Sequence, residues 1–428
     1  MLSSFYVRNY RSILELRLDF SYGEGKAPNG YKDQNTWPFL EAGANYRLVP
    51  CMAYFGANAS GKTNLLKAIA ELSNMVSFGD TLTDYFEPNL LNRKFANTTF
   101  HIEFLLDEVD FQYAITYNET EIIEESLEKS GKLLYSVRHL EAEFSEQILS
   151  KIYTRDKLAE VLRVECSDGE GKQIKLFLHR IGLGYLGLNS DLKNAFSFFK
   201  KRLMVRVDPD PVPLPVIVKL LALALNDTED AALKKITEIV RRLDIDITEL
   251  EIDQKKLAAN EDHDFDSTLT NSETGMTHGI NITATHTDIS GNPTKLNFFR
   301  HESAGTQRLA GLIGLVLYAL ERGGVLLVDE LESSLHPLLT REIISLFKLR
   351  RYNKKGAQLF FTTHNTDILD DSILRISEIS LVRKTLANGT LVRRLVEAKE
   401  EGEKIRNVTN FRKQYLAGYY SGVPHPAL

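Results

Sequence analysis

The chain has few of the features that mark secreted and membrane proteins. Its 428 residues include only two cysteines, Cys51 and Cys166, which excludes a disulfide framework and favours a reducing compartment. No apolar signal region opens the chain. The longest apolar run, residues 212–225, is shorter than the about twenty residues of a membrane helix and contains prolines and a lysine. We therefore expect a cytoplasmic protein that does not cross a membrane.

An excess of positive charge, sustained heptads and internal repeats are also missing. The net charge is −6, so no overall positive field indicates nucleic acid. The long interval between Lys62 and Ser303 lacks the a/d heptads that a long coiled coil requires. The length is ample for a buried core and predicts two or three domains.

A complete phosphate-binding motif, G-x-x-x-x-G-K-[ST], occupies residues 56–63. It follows an apolar run, residues 48–55, that predicts a buried strand, and it precedes residues 64–70, which predict the start of a helix. The motif needs this context, because the loop must present its N–H groups beside a helix N-terminus. The sequence therefore predicts that the chain binds a nucleoside triphosphate.

The residue types in this motif match separate tasks. Gly56 and Gly61 let the backbone curl so that successive N–H groups form an anion nest. Lys62 is placed to reach the β- and γ-phosphates, and the Thr63 hydroxyl is placed to hold Mg²⁺. We therefore expect a triphosphate and Mg²⁺ to bind together.

A second apolar run, residues 325–328, ends in two carboxylates, Asp329 and Glu330. Asp329 is positioned to complete the Mg²⁺ shell in the manner of a Walker-B aspartate. Glu330 is a candidate base that orients or deprotonates the attacking water. A buried strand that runs into an acidic loop is common in α/β proteins. The functional interpretation of this motif therefore depends on the phosphate loop upstream. Together the two motifs favour hydrolysis.

Two further elements narrow the class of protein. Ser303, Gly305 and Gln307 form a Ser-x-Gly-x-Gln turn before an apolar helix. Such a turn lets an anion approach the backbone closely, although Ser303 alone is also an ordinary N-cap. His364 ends a later apolar strand, and its place as the fourth member of an ordered set predicts a sensor of the γ-phosphate.

These four elements, in this order, resemble those of the ATP-binding cassette ATPases. Within that class the chain looks like the SMC, RecF and OLD proteins and not like the transporters. Residues 5–12 are similar to the N-terminal N-[FY]-[RK]-S strand of those proteins. The resemblance extends to the RloA- and AbiLi-type ATPases of bacterial abortive-infection loci, and it is carried by residues 302–307, 329–337, 358–364 and 415–424.

The resemblance implies that two copies pair head to tail, alone or as an oligomer of dimers, and enclose two ATP molecules. Thr63 and Asp329 would hold the metal. The predicted catalytic residues are Lys62, Glu330 and His364. The residues predicted to bind the nucleotide are Arg11, Gly56, Ala57, Asn58, Ala59, Ser60, Gly61, Lys62, Thr63 and Asn64 of one copy, and Ser303, Gly305, Gln307 and Ser333 of the other.

The expected fold class is α/β. It would be an ATPase head, with a mixed sheet flanked by helices, interrupted by a compact and mostly helical insertion with no long coiled coil. Residues 1–130 would form the lobe that carries the phosphate loop, residues 131–250 the insertion, and residues 251–428 the lobe that carries the other motifs.

The resemblance also implies a biological role, as a sensor or scaffold subunit of an anti-phage defence system. OLD-type nucleases carry a Toprim domain after the head, and too few residues follow His364 for one, so we expect a separate effector protein, a nuclease or a toxin. Two alternatives stay open. One is a RecF-like DNA repair ATPase, which the net charge does not favour; the other is a nucleotide-gated assembly scaffold with little turnover.

Three smaller patterns are also present in the sequence. Asn388-Gly389 between two apolar segments predicts a hairpin turn with a structural role. The basic run at 348–355 favours the cationic end of a helix, with a nucleic-acid patch as the alternative. Gln112 is a candidate for the Q-loop glutamine of the cassette ATPases by its order in the chain.

Overall fold

The structure is a computed structural model of the chain. It describes residues 1–22, 37–41, 44–79, 85–91, 93–184, 189–206, 213–243, 246–256, 267–270, 277–333, 335–397, 399–400, 403–404 and 411–418. The chain divides into two compact units. Unit 1 is Met1–Val207, Gly323–Leu331 and Ile344–Leu428, and unit 2 is Asp208–Arg322 and Glu332–Ile343.

The strands are β1 (Leu2–Tyr10), β2 (Ile13–Asp19), β3 (Trp37–Glu41), β4 (Ala44–Leu48), β5 (Cys51–Phe55), β6 (Thr98–Leu106), β7 (Val109–Tyr117), β8 (Ile122–Lys129), β9 (Lys132–Arg138), β10 (Glu141–Phe144), β11 (Leu203–Arg206), β12 (Glu249–Lys256), β13 (Ser267–Thr270), β14 (Thr277–Thr287), β15 (Pro293–Asn297), β16 (Val325–Val328), β17 (Gln358–Thr363), β18 (Ile379–Thr385), β19 (Gly389–Arg394), β20 (Lys399–Glu400) and β21 (Glu403–Lys404).

The helices are α1 (Lys62–Phe78), α2 (Arg155–Glu165), α3 (Phe177–Gly182), α4 (Ser190–Ser197), α5 (Leu214–Leu225), α6 (Glu229–Arg242), α7 (Phe298–His301), α8 (Ala304–Arg322), α9 (Pro337–Lys348) and α10 (Phe411–Leu416). Short 3₁₀ turns lie at Glu146–Ile148, Thr366–Ile368, Ile376–Glu378 and Leu395–Glu397, and a π turn at Phe198–Arg202. Within the described residues, none of these helices is both long enough and apolar enough to cross a membrane.

Unit 1 is built on a sheet of thirteen strands in the order β10-β9-β8-β7-β6-β1-β2-β19-β18-β5-β17-β16-β11. Neighbouring strands from β18 to β11 are parallel. Those from β10 to β18 are antiparallel. The predicted α/β fold with a mixed sheet flanked by helices is confirmed, and the described residues contain no long coiled coil.

The burial patterns explain the two halves of this sheet. Every residue of β5, β16 and β17 is buried, which is typical of parallel strands covered on both faces. In β6, buried and half-buried residues alternate along the whole strand, as in antiparallel strands that bury one face. Because the C-terminal ends of parallel strands meet at one edge, β5, β16 and β17 bring the segments that follow them together there.

The strands of the antiparallel half continue further along the chain than the sequence indicated. The hairpin of β8 and β9, paired through Lys129 and Lys132, contains the predicted boundary at residue 130. Helical structure begins after β10, which ends at Phe144. The division into lobes at 130 and 250 stays a prediction.

Unit 2 combines helices with a small sheet. In the sheet, β14 is paired with β12, β13 and β15. Helix α6 is amphipathic, because Leu233, Ile236 and Val240 are buried while Lys234 and Glu238 are exposed. Helix α8 passes close to α5 at Gly314, where a Cβ atom would lie 2.4 Å from the Cγ2 of Ile217.

Candidate functional site

The phosphate loop forms the turn between β5 and α1. Ala59 and Gly61 have positive φ angles of 59° and 99°, a conformation that glycine adopts without strain. A Cβ atom at Gly56 would lie 2.3 Å from the carbonyl oxygen of Val382, so this position also requires glycine. Both glycine positions of the motif therefore require glycine in this fold, and their role in an anion nest stays a prediction.

The side chain of Lys62 folds back over the loop. Its Nζ donates hydrogen bonds to the carbonyl oxygens of Gly56 and Ala57, at 2.8 and 3.0 Å, and the residue is only 6% exposed. These bonds hold the ammonium group at the loop, where phosphate oxygens would be stronger partners because they are charged.

Asp329 connects the phosphate loop to the end of β16. Its Oδ2 accepts a hydrogen bond of 2.8 Å from Thr63 Oγ1, and its Oδ1 accepts one of 2.5 Å from Thr362 Oγ1. The two residues predicted to hold the metal therefore lie in direct contact, although they are far apart in the sequence.

Glu330 follows in an unusual backbone conformation. Its φ is 48°, which is uncommon outside glycine and typically has a functional reason. Its N–H donates a hydrogen bond of 2.8 Å to Thr362 Oγ1, and the next N–H, of Leu331, donates to the carbonyl oxygen of Thr362. Thr362 therefore fixes the chain at both predicted carboxylates, a role that no sequence pattern indicated.

These groups surround one cavity of about 470 Å³ in unit 1, a volume within the range of small-molecule sites. Its described lining is Ser12, Asn58, Ala59, Ser60, Gly61, Lys62, Thr63, Asn64, Asp329, Glu330, Thr362, His364 and Lys384. A larger cleft of about 740 Å³ lies in unit 2, with a lining that includes Lys234, Arg241 and Thr285. We assign the site to the smaller cavity, because the two sequence motifs and His364 converge there.

The residues present fit a triphosphate with Mg²⁺. Ser60 Oγ, within the loop, is buried and has no hydrogen-bond partner in the described part of the chain, so the loop retains a polar group that a ligand can satisfy. A hydroxyl and a carboxylate, those of Thr63 and Asp329, are ligands that Mg²⁺ accepts together with phosphate oxygens and water. When bound, the metal would neutralise charge on the phosphates.

Three residues of the lining were not predicted from the sequence, namely Ser12, Thr362 and Lys384. Ser12 Oγ accepts a hydrogen bond of 2.7 Å from Asn64 Nδ2. It also lies 2.7 Å from Thr390 Oγ1. A serine or threonine hydroxyl has no spacing signal of its own, so only the fold could reveal these roles.

Two predicted residues of unit 1 have other surroundings. Arg11 is not among the described residues that line the cavity; it forms ion pairs with Glu87 and, at 4.0 Å, with Glu71. Gln112 lies in β7 and is likewise outside that lining. Contact of Arg11 with the nucleotide stays a prediction.

The Ser-x-Gly-x-Gln turn belongs to unit 2. Ser303 is exposed and acts as an N-cap of α8, because its Oγ accepts a hydrogen bond of 3.1 Å from the N–H of Thr306. Gln307 Nε2 donates to the carbonyl oxygens of Phe299 and Glu302, each at 3.0 Å. The turn is therefore pre-formed, and nucleotide contact by Ser303, Gly305, Gln307 and Ser333 stays a prediction.

The fold and the cavity together define a P-loop nucleotide-binding protein. The chain belongs to the family of AAA ATPase domains described as "AAA domain, putative AbiEii toxin, Type IV TA system", whose model matches residues 52–169 and 228–370, more than half of the chain. These segments contain the phosphate loop, both carboxylates and His364.

Solved structures provide a second comparison. The chain is similar to a structure described as "Crystal structure of the SmcHead bound to the C-winged helix domain of ScpA", with a TM-score of 0.44, 14% identity and coverage of 92% of this chain and 98% of that chain. It is also similar to the "SMC head domain from Thermotoga maritima", with a TM-score of 0.40, 15% identity and the same coverage. A comparison with curated proteins finds no match.

Proposed function

We propose that the chain hydrolyses ATP with Mg²⁺ at the phosphate loop. The observation that carries the proposal is the 2.8 Å contact between Thr63 Oγ1 and Asp329 Oδ2, because one Mg²⁺ ion coordinated by both residues is the arrangement that P-loop ATPases use.

The other residues of the cavity have separate tasks in this proposal. Lys62 would exchange its two carbonyl partners for oxygens of the β- and γ-phosphates. Glu330 would orient the attacking water and accept its proton. His364, at the end of β17, would contact the γ-phosphate, so that the cavity distinguishes ATP from ADP.

The proposed active site is completed by a second copy of the chain. Ser303 is exposed on a pre-formed turn at the N-terminus of α8, which is a surface that can receive phosphate. Together with Gly305, Gln307 and Ser333 it would close the ATP site of a head-to-tail partner, in a dimer or in an oligomer of dimers. This step rests on the resemblance to the cassette ATPases.

For the biological role, we propose a sensor or holding subunit of a bacterial anti-phage system that controls a separate effector, a nuclease or a toxin. The family description, which names a toxin and a type IV toxin–antitoxin system, supports a role in such loci. The resemblance to the RloA- and AbiLi-type ATPases supports it independently.

The first experiment is ATP turnover of the purified chain with and without duplex DNA, beside Lys62→Ala and Glu330→Gln. We expect slow turnover that is indifferent to DNA, no nucleotide binding by Lys62→Ala, and tight binding without turnover by Glu330→Gln. Normal turnover by Glu330→Gln would refute its assignment as the base.

Other outcomes of this experiment would favour the alternatives. Strong stimulation by DNA would favour a RecF-like repair ATPase. Oligomers formed equally by wild type and Glu330→Gln, with no turnover by wild type, would favour an assembly scaffold. Nuclease activity of the chain alone, lost in Lys62→Ala, would contradict a separate effector.

A further inference from the structure

The hairpin of β18 and β19 continues past the sheet and forms one wall of the nucleotide cavity. Strand β18 pairs with β5 as far as Leu381, opposite Phe55, which is the last residue before the phosphate loop. The hairpin then runs on to Thr385 and returns from Gly389. Residues 382–385 therefore lie where β5 has already turned into the loop.

Specific contacts hold this hairpin against the loop. Thr390 Oγ1 donates a hydrogen bond of 3.2 Å to the carbonyl oxygen of Ser60, and the Thr390 N–H donates one of 2.7 Å to the carbonyl oxygen of Ser12. A Cβ atom at Gly61 would lie 2.0 Å from Thr390 Oγ1, and one at Gly389 would lie 2.3 Å from Ser12 O. The approach is so close that both positions require glycine.

Lys384 is the cation that this hairpin contributes to the cavity. It is paired directly with Thr390 across the two strands, so the two side chains stand on the same face, the one that contacts the loop. Lys384 is exposed and lines the cavity with Ser60, Lys62 and Thr63. Arg383, the preceding residue, is also exposed but points to the opposite face, because side chains alternate along a strand.

The charges in the cavity favour a role for this lysine. Asp329 and Glu330 add negative charge to a cavity that must accept a triphosphate, and Lys62 is the predicted cation of the loop. In the part of the chain that the structure describes, Lys384 forms no ion pair with a carboxylate. Its ammonium group can therefore meet an anionic ligand without first breaking a salt bridge.

We propose that Lys384 is a second cation for the nucleotide, which binds the α- and β-phosphates while Lys62 binds the β- and γ-phosphates. The hairpin contacts the loop at Ser60 and Gly61, and the backbone of a phosphate loop cradles the α- and β-phosphates. This inference rests on the proposed function of the cavity as an ATP site.

The test is the dissociation constants of ATP and ADP, measured by calorimetry for wild type, Lys384→Met, Lys384→Arg and the matched control Arg383→Met. We expect Lys384→Met to weaken ATP and ADP alike by about tenfold, the effect of losing one hydrogen bond to a charged group. Lys384→Arg should retain most of the affinity, and Arg383→Met should stay within about twofold of wild type. Because both residues are exposed, all variants should have the wild-type melting temperature.

The outcomes separate this inference from the proposed function. Unchanged dissociation constants in Lys384→Met, with normal ATP binding by wild type and none by Lys62→Ala, would overturn the inference alone. A loss confined to ATP would also overturn it, because the lysine would then act at the γ-phosphate. Wild type that binds neither nucleotide would overturn the proposed function and the inference with it.

Discussion

Thr362 shows how a single hydroxyl can organise two carboxylates. It is completely buried at the end of β17, where it donates to Asp329 Oδ1 and accepts from the N–H of Glu330. It is a positioning residue, because its hydroxyl acts through these two residues and their contact with the nucleotide site.

We predict that Thr362→Val lowers kcat about tenfold or more with a smaller change in the KM for ATP. The isosteric valine fills the same volume but leaves Asp329 and the Glu330 N–H without their buried partner, at a cost of about 1–3 kcal/mol. Steady-state ATPase assays measure both constants. Thr362→Ser should restore kcat. Thr363→Val is the neighbouring control, because the hydroxyl of Thr363 accepts its hydrogen bond from the N–H of Asn365.

At the scale of elements, the first turn of helix α3 is hydrogen-bonded to a carboxylate from the sheet. Glu125 of β8 is completely buried, and no described residue forms an ion pair with it. It accepts five hydrogen bonds, all between 2.7 and 3.0 Å. The donors are the hydroxyls of Tyr113 and Tyr135, the amide of Gln173 and the N–H groups of Phe177 and Leu178. One carboxylate thus joins β7, β8, β9 and the first turn of α3.

We predict that Glu125→Ala lowers the free energy of unfolding by roughly 3–5 kcal/mol, because several buried donors lose the acceptor that they have in the described structure. Glu124→Ala, next to it in β8, is the control. Glu124 is 40% exposed and pairs with the exposed Arg138, so its loss should cost less than about 1 kcal/mol. Urea unfolding measures both variants, and equal effects would contradict the structural role of Glu125.

Glu125 should also make stability depend on pH. Burial raises the pKa of its carboxyl in the folded chain, against the opposing effect of its hydrogen bonds. A raised folded pKa means that this contribution to stability is complete below the unfolded pKa, about 4.3. It is lost as the pH rises through the folded pKa. The stability difference between wild type and Glu125→Ala should therefore shrink over that window, and a difference that grows with pH would contradict the assignment.

The end of α9 is tied to the turn before β18 by a buried ion pair. Lys348 Nζ lies 2.7 Å from Glu378 Oε2, with the two side chains 4% and 0% exposed, and Tyr22 and Arg375 complete the surroundings of Glu378. Lys348 is the last residue of α9, in agreement with the interpretation of the basic run as a helix end. It is, however, buried and paired with Glu378.

We predict that Lys348→Met destabilises the chain by about 3 kcal/mol, the low end of the cost of breaking a buried ion pair. The Glu378 carboxylate then keeps Arg375, at 3.8 Å, as a more distant cation. Lys354→Met, an exposed residue of the same basic run, should change stability by no more than about 0.5 kcal/mol. Thermal unfolding compares the two. A similar melting temperature for both variants would show that the pair contributes nothing.

For the assembled protein, the proposed dimer predicts that two inactive variants complement each other, a result that a monomer could not give. Each proposed site combines the phosphate loop of one copy with the Ser303 turn of the other. Lys62→Ala and Ser303→Arg should each abolish turnover, since either change inactivates both sites of a homodimer.

An equal mixture of these two variants should regain about one quarter of wild-type turnover, because half of the randomly paired dimers contain one site with both parts intact. Turnover of the mixture, measured after the dimers have exchanged, checks this. A mixture as inactive as its components would contradict a composite site, and an active Ser303→Arg variant would exclude Ser303 from it.

Much of the fold was accessible from local patterns. The strands predicted before residue 56 and before Asp329 are the buried parallel strands β5 and β16. The predicted hairpin is also present, with its turn at residues 386–388 and Gly389 as the first residue of β19. The extent of the antiparallel half was not accessible, because β8, β9 and β10 carry many charged residues. Their apolar–polar alternation is weak. They are identified as part of the sheet by their pairing, β8 with β7, β9 with β8 and β10 with β9.

The phosphate loop, the two carboxylates and the strand-end histidine could be predicted from local sequence, because each depends on residue types at fixed spacing within one continuous segment. The other groups that share their cavity become apparent once the chain is folded. The order of β5, β17 and β18 in one sheet brings Thr362 and Lys384 to the phosphate loop. Ser12 reaches the same cavity because β19 pairs with β2 and Thr390 bonds to Ser12. In the same way, Glu125 and Lys348 look like solvated charges in the sequence, and their burial depends entirely on what packs over them.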